Sequence, residues 1–213
     1  MRIDTDEIKK ASEAAVLEAG GKVCDRLPYI EPTKMREEEA VVARALVLNA
    51  MLNIYFEAPT EVIAAWISHH DLNSFLSAKE KAILSRKTEE LTKQEKLDLY
   101  WYIEALWAFL WATNVVDEMD FTKPVPDTMA SFCPNLEADE GDEKFTKNMS
   151  LREYDAIYKE RDLYYRVMWY ARELSLAGTS DPGFDLDRAM ERRKALEWIM
   201  DSELEWDDVP LGT

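Results

Sequence analysis

Apolar residues recur along this chain at spacings of three and four, the period of an α-helix with one buried face. Between Lys93 and Asn114, Leu99, Ile103, Leu106 and Leu110 form one apolar stripe, which Tyr100, Trp107 and Trp111 widen. A helix that is apolar over most of its circumference belongs at the centre of a fold. Val41, Leu48, Leu52 and Tyr55 form the stripe of a helix predicted from Lys34 to Phe56. Tyr154, Tyr158, Tyr165, Trp169 and Leu176 do so from Leu151 to Ala177, the longest segment. Met190, Leu196, Trp198 and Ile199 spread too broadly over the last helix, Leu186–Asp201, to be one narrow seam. No stretch alternates with the period of two that marks a half-buried strand, and no repeat is visible. The pattern predicts an all-α fold, an irregular multi-helix bundle packed around the aromatic-rich helix at about 93–114.

The boundaries are marked as well. Ser77-Ala78-Lys79-Glu80, Thr92-Lys93-Gln94-Glu95 and Ser150-Leu151-Arg152-Glu153 each fit a capping box, in which hydroxyl and carboxylate satisfy each other's backbone amides at a helix start. A first helix over about 6–19 ends at Gly20-Gly21, and Pro28 and Pro32 keep the following stretch irregular. Pro59 separates the second helix from one at Thr60–His69, and a short helix follows at Ala78–Arg86. Asp185 or Asp187 caps the last helix. Pro124, Pro126 and Pro134 break the stretch 115–147 into an irregular acidic loop. The expected organisation is one helical domain over 1–213, with an acidic tail at 202–213.

Composition narrows the classes. Hydrophobic residues make up 47% of 213, enough for a core without disulfide or metal staples. The formal net charge of −17 repels phosphate backbones and anionic membrane surfaces, so neither nucleic acid nor membrane is an expected partner. It favours a basic protein partner, cations or plain solubility. Cys24 and Cys133 stand far apart without metal-ligand spacing. The charged N-terminus lacks an apolar signal region, and no run approaches the roughly 18 apolar residues of a membrane span. A cytoplasmic location is the expectation.

Several charges sit on apolar helical faces. The neighbours of Arg44 at three and four residues are Ala40, Val41, Val47 and Leu48, and those of Glu104 are Tyr100, Trp101, Trp107 and Ala108. Such charges are buried only when paired, so Arg44 and Glu104 are expected to pair with each other in the core or to line a pocket. Asp162 and Arg166, four apart, read as a pair on a solvated face. Glu191-Arg192-Arg193 opens the last helix, where a helix start favours acids. The two Arg are either simply tolerated or have carboxylate partners elsewhere.

Other motifs carry less. Adjacent His69 and His70 point about 100° apart on a helix and are poorly placed to share one metal ion. Residues 137–143 imitate a calcium loop, but placing Gly141 at its sixth position puts Leu136 and Ala138 where carboxylates are needed. No phosphate-binding glycine loop, nucleophile elbow or kinase motif is present. No cofactor and no metal are expected.

Taken together, a set of residues resembles a known family. It comprises Arg44, Trp101, Glu104-Ala105-Leu106-Trp107 and Leu110-Trp111-Ala112. Asp162-Leu163-Tyr164-Tyr165-Arg166, Trp169 and Arg172 continue it, followed by Glu191–Trp198 and Trp206-Asp207-Asp208-Val209. The pattern is similar to the bacterial domain-of-unknown-function family 4272, from about Arg36 to the C-terminus. The resemblance implies a helical fold and no particular activity. The family pattern tends to end on an acidic residue and Thr, whereas this chain ends Pro210-Leu211-Gly212-Thr213. The resemblance also implies that Arg44, Glu104, Asp162, Arg166, Glu191 and Arg192 converge on one polar centre.

The function expected from these features is non-enzymatic: an acidic binding or interaction protein, of immunity or regulatory type. The alternative is an enzyme or small-ligand binder built on the carboxylate–arginine centre, such as a hydrolase of a small polar substrate. An open cluster in a deep pocket would favour the alternative, and a cluster sealed in the core would favour a structural role.

Overall fold

The computed structural model describes residues 3–212 apart from Asp139 and Asn148, and omits the side chain of Lys144. Among the described residues every regular element is helical. The helices are α1 (Thr5–Glu18), α2 (Glu38–Tyr55), α3 (Thr60–His69), α4 (Ala78–Leu84), α5 (Lys93–Ala112), α6 (Glu143–Thr146), α7 (Tyr154–Leu176) and α8 (Leu186–Met200). Short 3₁₀ turns link them, the last at Trp206–Asp208. The all-α bundle matches the periodicity.

The helices pack in an order that differs from their sequence. α5 lies between α2 and α8, α7 covers α8, and α1 covers α7, while α3 packs on α2 and α4 on α3. Every residue from Glu104 to Ala112 is buried, as the apolar circumference of α5 requires. Val41 and Ala43–Leu52 of α2 close one side of it. A smaller cluster of Val16, Val167, Met168, Ala171 and Phe184 seals α1 and α7 together.

Two of the three capping boxes form. Ser77 accepts from Glu80 N at 3.3 Å while Glu80 accepts from Ser77 N at 2.8 Å. Thr92 and Glu95 do the same at the start of α5. Ser150–Glu153 does not: α7 starts at Tyr154, without a side-chain cap. Ser150 N and Arg152 N donate to Thr113 O and Ala112 O at the open end of α5, and Leu151 N donates to Glu38 Oε2. Those amides satisfy another helix's last carbonyls, so the segment stays extended. α2 starts late, at Glu38, for a similar reason. Arg36 N donates to Ile199 O and Ser202 N to Lys34 O, which ties residues 34–36 to the end of α8.

α1 ends as the glycines require. Gly20 adopts φ +86°, and Gly21 packs so closely on Phe184 and Val16 that a Cβ would lie 2.6 Å from a Phe184 ring atom.

Candidate functional site

The charges that interrupt apolar faces are buried and paired, but with other partners than each other. Arg44 is 1% exposed and forms a two-pronged ion pair with Glu80, at 2.7 and 2.6 Å. It also donates to Phe75 O at 2.9 Å, and its guanidinium lies 4.2 Å from the centre of the Trp206 ring. Glu80 therefore serves twice, as capping carboxylate of α4 and as counter-ion of Arg44. The expected Arg44–Glu104 pair is corrected. Glu104 faces α8, whereas Arg44 faces the α4 side of α2.

Glu104, 5% exposed, is held by Arg192, whose Nε and Nη2 lie 2.8 and 2.7 Å from Oε2. Arg192 also donates to Tyr164 Oη and Asp120 O through Nη1 and to Lys123 O through Nη2, each at 2.9 Å. Arg192 thus makes four hydrogen bonds besides the close ion-pair contact of Nη2 with Glu104. Arg188 approaches the other Glu104 oxygen at 3.8 Å and donates to Phe121 O. The cluster fastens the start of the 115–147 segment to the bundle. Burial raises the Tyr164 phenol well above its usual range, against the pull of Arg192.

Asp162 and Arg166 pair at 2.8 and 2.9 Å, as their spacing predicts, but not on a solvated face. They are 2% and 1% exposed because α1 covers them, and Glu13 lies 3.5 Å from Arg166. A fourth cluster escaped the sequence reading as a unit. Glu197 binds Arg161 through Oε2 at 2.6 Å and Arg193 through Oε1 at 3.1 Å, and all three are buried. Arg192 and Arg193 do therefore have carboxylate partners. A signal for Glu197 was present, since Leu196, Trp198 and Ile199 surround it in sequence and Arg193 precedes it by one turn.

The six candidate residues thus divide into separate pairs rather than one centre. Arg44 belongs with Glu80, Glu104 with Arg192, and Asp162 with Arg166. Glu191 is half-buried with one carboxylate oxygen lacking a hydrogen-bond partner. Burial pushes its pKa up to about 7, against Lys194 and with help from Asp98, Asp187 and Glu104. Burial likewise raises Glu160 to about 7, opposed by Arg192 and Arg152.

The two acidic segments differ in what they face. Trp206 is 3% exposed, edge-on to Tyr102 and Trp198, with Lys194 4.5 Å from its ring centre. Asp207 accepts from Lys79 N at the start of α4, and Arg36 donates to Trp198 O and to Leu204 O. In the other segment Asp120 is bound by Thr122 and Lys123. Although burial opposes it, those bonds hold its pKa down to about 2. Glu140 accepts from Asn135 N, and Asp142 lies 3.6 Å from His70 Nδ1. Asp117, Glu118, Asp127 and Glu137 are exposed and take part in no ion pair among the described residues. Asp139 lies outside the described residues.

Among the described residues no group of three or more His, Cys, Asp and Glu is placed to hold a metal ion. None of their helices is long and apolar enough to cross a membrane.

Residues 8–209 match the model of the family described as Domain of unknown function (DUF4272), and the chain belongs to that family. The match extends the resemblance, which began at about Arg36, back into α1 at Ile8, and ends at Val209 rather than at the C-terminus. No curated protein and no solved structure matches the chain.

Proposed function

We propose that this family member is a non-enzymatic binding protein that recognises a basic protein partner through acidic surface. One observation carries the reading. The charges that could have formed a reactive centre are at most 5% exposed, Glu191 apart, and their hydrogen bonds are made to the protein itself. A sealed ion pair fixes helix register and does not meet a substrate. This counts against the enzyme or small-ligand alternative. Asp117, Glu118, Asp127 and Glu137 instead present exposed like charge, which a basic surface would relieve and which would speed encounter at low salt. A regulatory or immunity-type role in a bacterial cytoplasm is part of the same reading.

The test replaces these four acids by Asn and Gln and repeats co-purification from the native host at low and high salt. The expected result is a basic partner recovered by the wild type at low salt and lost by the variant. A partner that binds both proteins equally and ignores salt overturns the proposal.

A further inference from the structure

One face of α2 is covered at Leu46 and Asn49 but keeps exposure at Val42, Asn53 and Phe56. Val42, Leu46, Asn49, Asn53 and Phe56 lie along it at helical spacings of three and four. The irregular segment crosses this face at its middle, where Asn49 donates to Pro134 O at 3.2 Å. The crossing leaves a groove on either side. The one towards the C-terminus of α2, about 500 Å³, is lined by Phe56, Tyr100, Ile103, Val125 and Pro126, and among the described residues Asp127 is the one charged residue that lines it. The one towards the N-terminus, about 380 Å³, differs in its rim.

That second groove has an apolar floor of Val42, Leu46, Leu72, Phe75 and Met149. Four carboxylates border it: Glu38, Glu39, Asp71 and Asp142. Among the described residues no Lys or Arg lines it, and the one other titratable group there, His70, lies against Trp66 and faces Asp142. Glu38 also accepts from Leu151 N, whereas Glu39 and Asp71 are exposed and in no ion pair among the described residues. From Glu38 to Leu46 the helix rises about 12 Å, room for roughly four residues of extended chain.

We infer that this groove is the docking site for a basic segment of a protein partner. Such a segment lays the aliphatic stems of Lys or Arg, with one apolar anchor, on the floor and turns its cationic heads to the carboxylates. The inference rests on the binding reading above and adds where the partner sits and what it presents. Charge complementarity selects this occupant. A second copy of the chain would bring another net charge of −17, and a nucleic acid or an anionic lipid surface would meet the same repulsion.

The probe is a phage-displayed library of random dodecapeptides panned on the full chain, followed by synthesis of the enriched sequences. Their affinities are measured for the wild type, for Glu39→Lys with Asp71→Asn, and for Asp117→Asn with Glu118→Gln. All four substitutions are at exposed positions, and Asn tolerates the left-handed backbone of Asp71 (φ +56°), so the fold is kept. We expect enriched peptides that combine Lys or Arg with a large apolar residue. The groove variant should bind them about tenfold more weakly, and the loop variant less than about threefold more weakly. A loss confined to the loop variant overturns the groove and leaves the acidic-surface reading standing. Enriched peptides without basic residues overturn both. Self-association of the chain that competes with the peptides also overturns the groove, because a second copy would then be the occupant.

Discussion

The tail at 201–208 carries five acids and no base, and the segment at 117–143 carries nine acids against Lys123 alone. By composition both are equally good acidic surfaces for a partner. In the fold they part company. In the tail Asp207 accepts from the Lys79 backbone amide, Arg36 and Lys194 lie close enough to attract the acids around them, and Trp206 inserts among Tyr102, Phe109 and Trp198. The other segment is tied at its start by Arg192, Arg188 and Arg152, in its middle by Asn49 and near its end by Trp66, and each of these binds a backbone carbonyl rather than a carboxylate. Net charge does not reveal which acids are available. What decides is whether the fold brings a cation or a backbone amide up to each carboxylate, as it does for Asp207 and Asp120.

The largest expected effect concerns the clamp at the base of the 117–143 segment. Glu104→Ala leaves Arg192 buried with an unmatched charge and should cost about 3–5 kcal/mol, measured by denaturant unfolding. Trp206→Ala should come next, at about 3 kcal/mol, because it opens a cavity among aromatic rings and removes the surface on which Arg44 and Lys194 lie. If Trp206→Ala is neutral, the tail is not anchored and the two segments are alike after all.

A third expectation sharpens the comparison through pH. Glu191 sits beside the tail's clasp, one turn from Lys194, with its pKa raised to about 7. A carboxyl whose folded pKa lies above its unfolded value binds its proton more tightly when folded. Its contribution is therefore fully present below about pH 4.5 and is lost as pH rises through about 7. Glu160 acts with the same sign. Asp120, held at about 2, acts oppositely, but only as pH falls below its unfolded value near 4. The melting temperature should thus decline from pH 5 to pH 8. Glu191→Gln should flatten that decline and raise stability at pH 8. An unchanged slope means the carboxyl is solvated.

Much of this arrangement was legible in the sequence, and the parts that were not have a common cause. The starts of α4 and α5 could be read because both halves of a capping box lie within four residues. The start of α7 could not, because the amides of Ser150 and Arg152 are taken by the end of α5 and that of Leu151 by Glu38, all far away in sequence. Arg44 and Glu104 announced themselves as buried charges through their apolar neighbours. Their partners, 36 and 88 residues away, lay beyond any periodicity. Asp162 and Arg166 show the converse. Their spacing gave the pair correctly, but burial depends on whether α1 covers that face of α7, which spacing does not encode.

The smallest expected effect separates the two acidic segments most directly. Asp207→Asn removes a carboxylate that accepts from Lys79 N at the start of α4, where negative charge is favoured by the helix dipole. It should cost about 0.5–1 kcal/mol. Replacing Asp117, Glu118, Asp127 and Glu137 together by Asn and Gln removes four charges, yet stability should shift by no more than about 0.5 kcal/mol, because exposed groups without partners lose no interaction. The sign should be favourable. In a chain of net charge −17, unanswered acids repel one another and the rest of the molecule, and removing them relieves that repulsion. Added salt screens the same repulsion, so stability of the wild type should rise with moderate salt, and that rise should be smaller in the fourfold variant. Asp207→Asn should leave it nearly unchanged. Urea unfolding of the three proteins at low and moderate salt supplies the measurement. A fourfold variant that is clearly destabilised would mean these acids are bound within the chain, as Asp207 is, and that the surface proposed for a basic partner is already occupied by the protein itself.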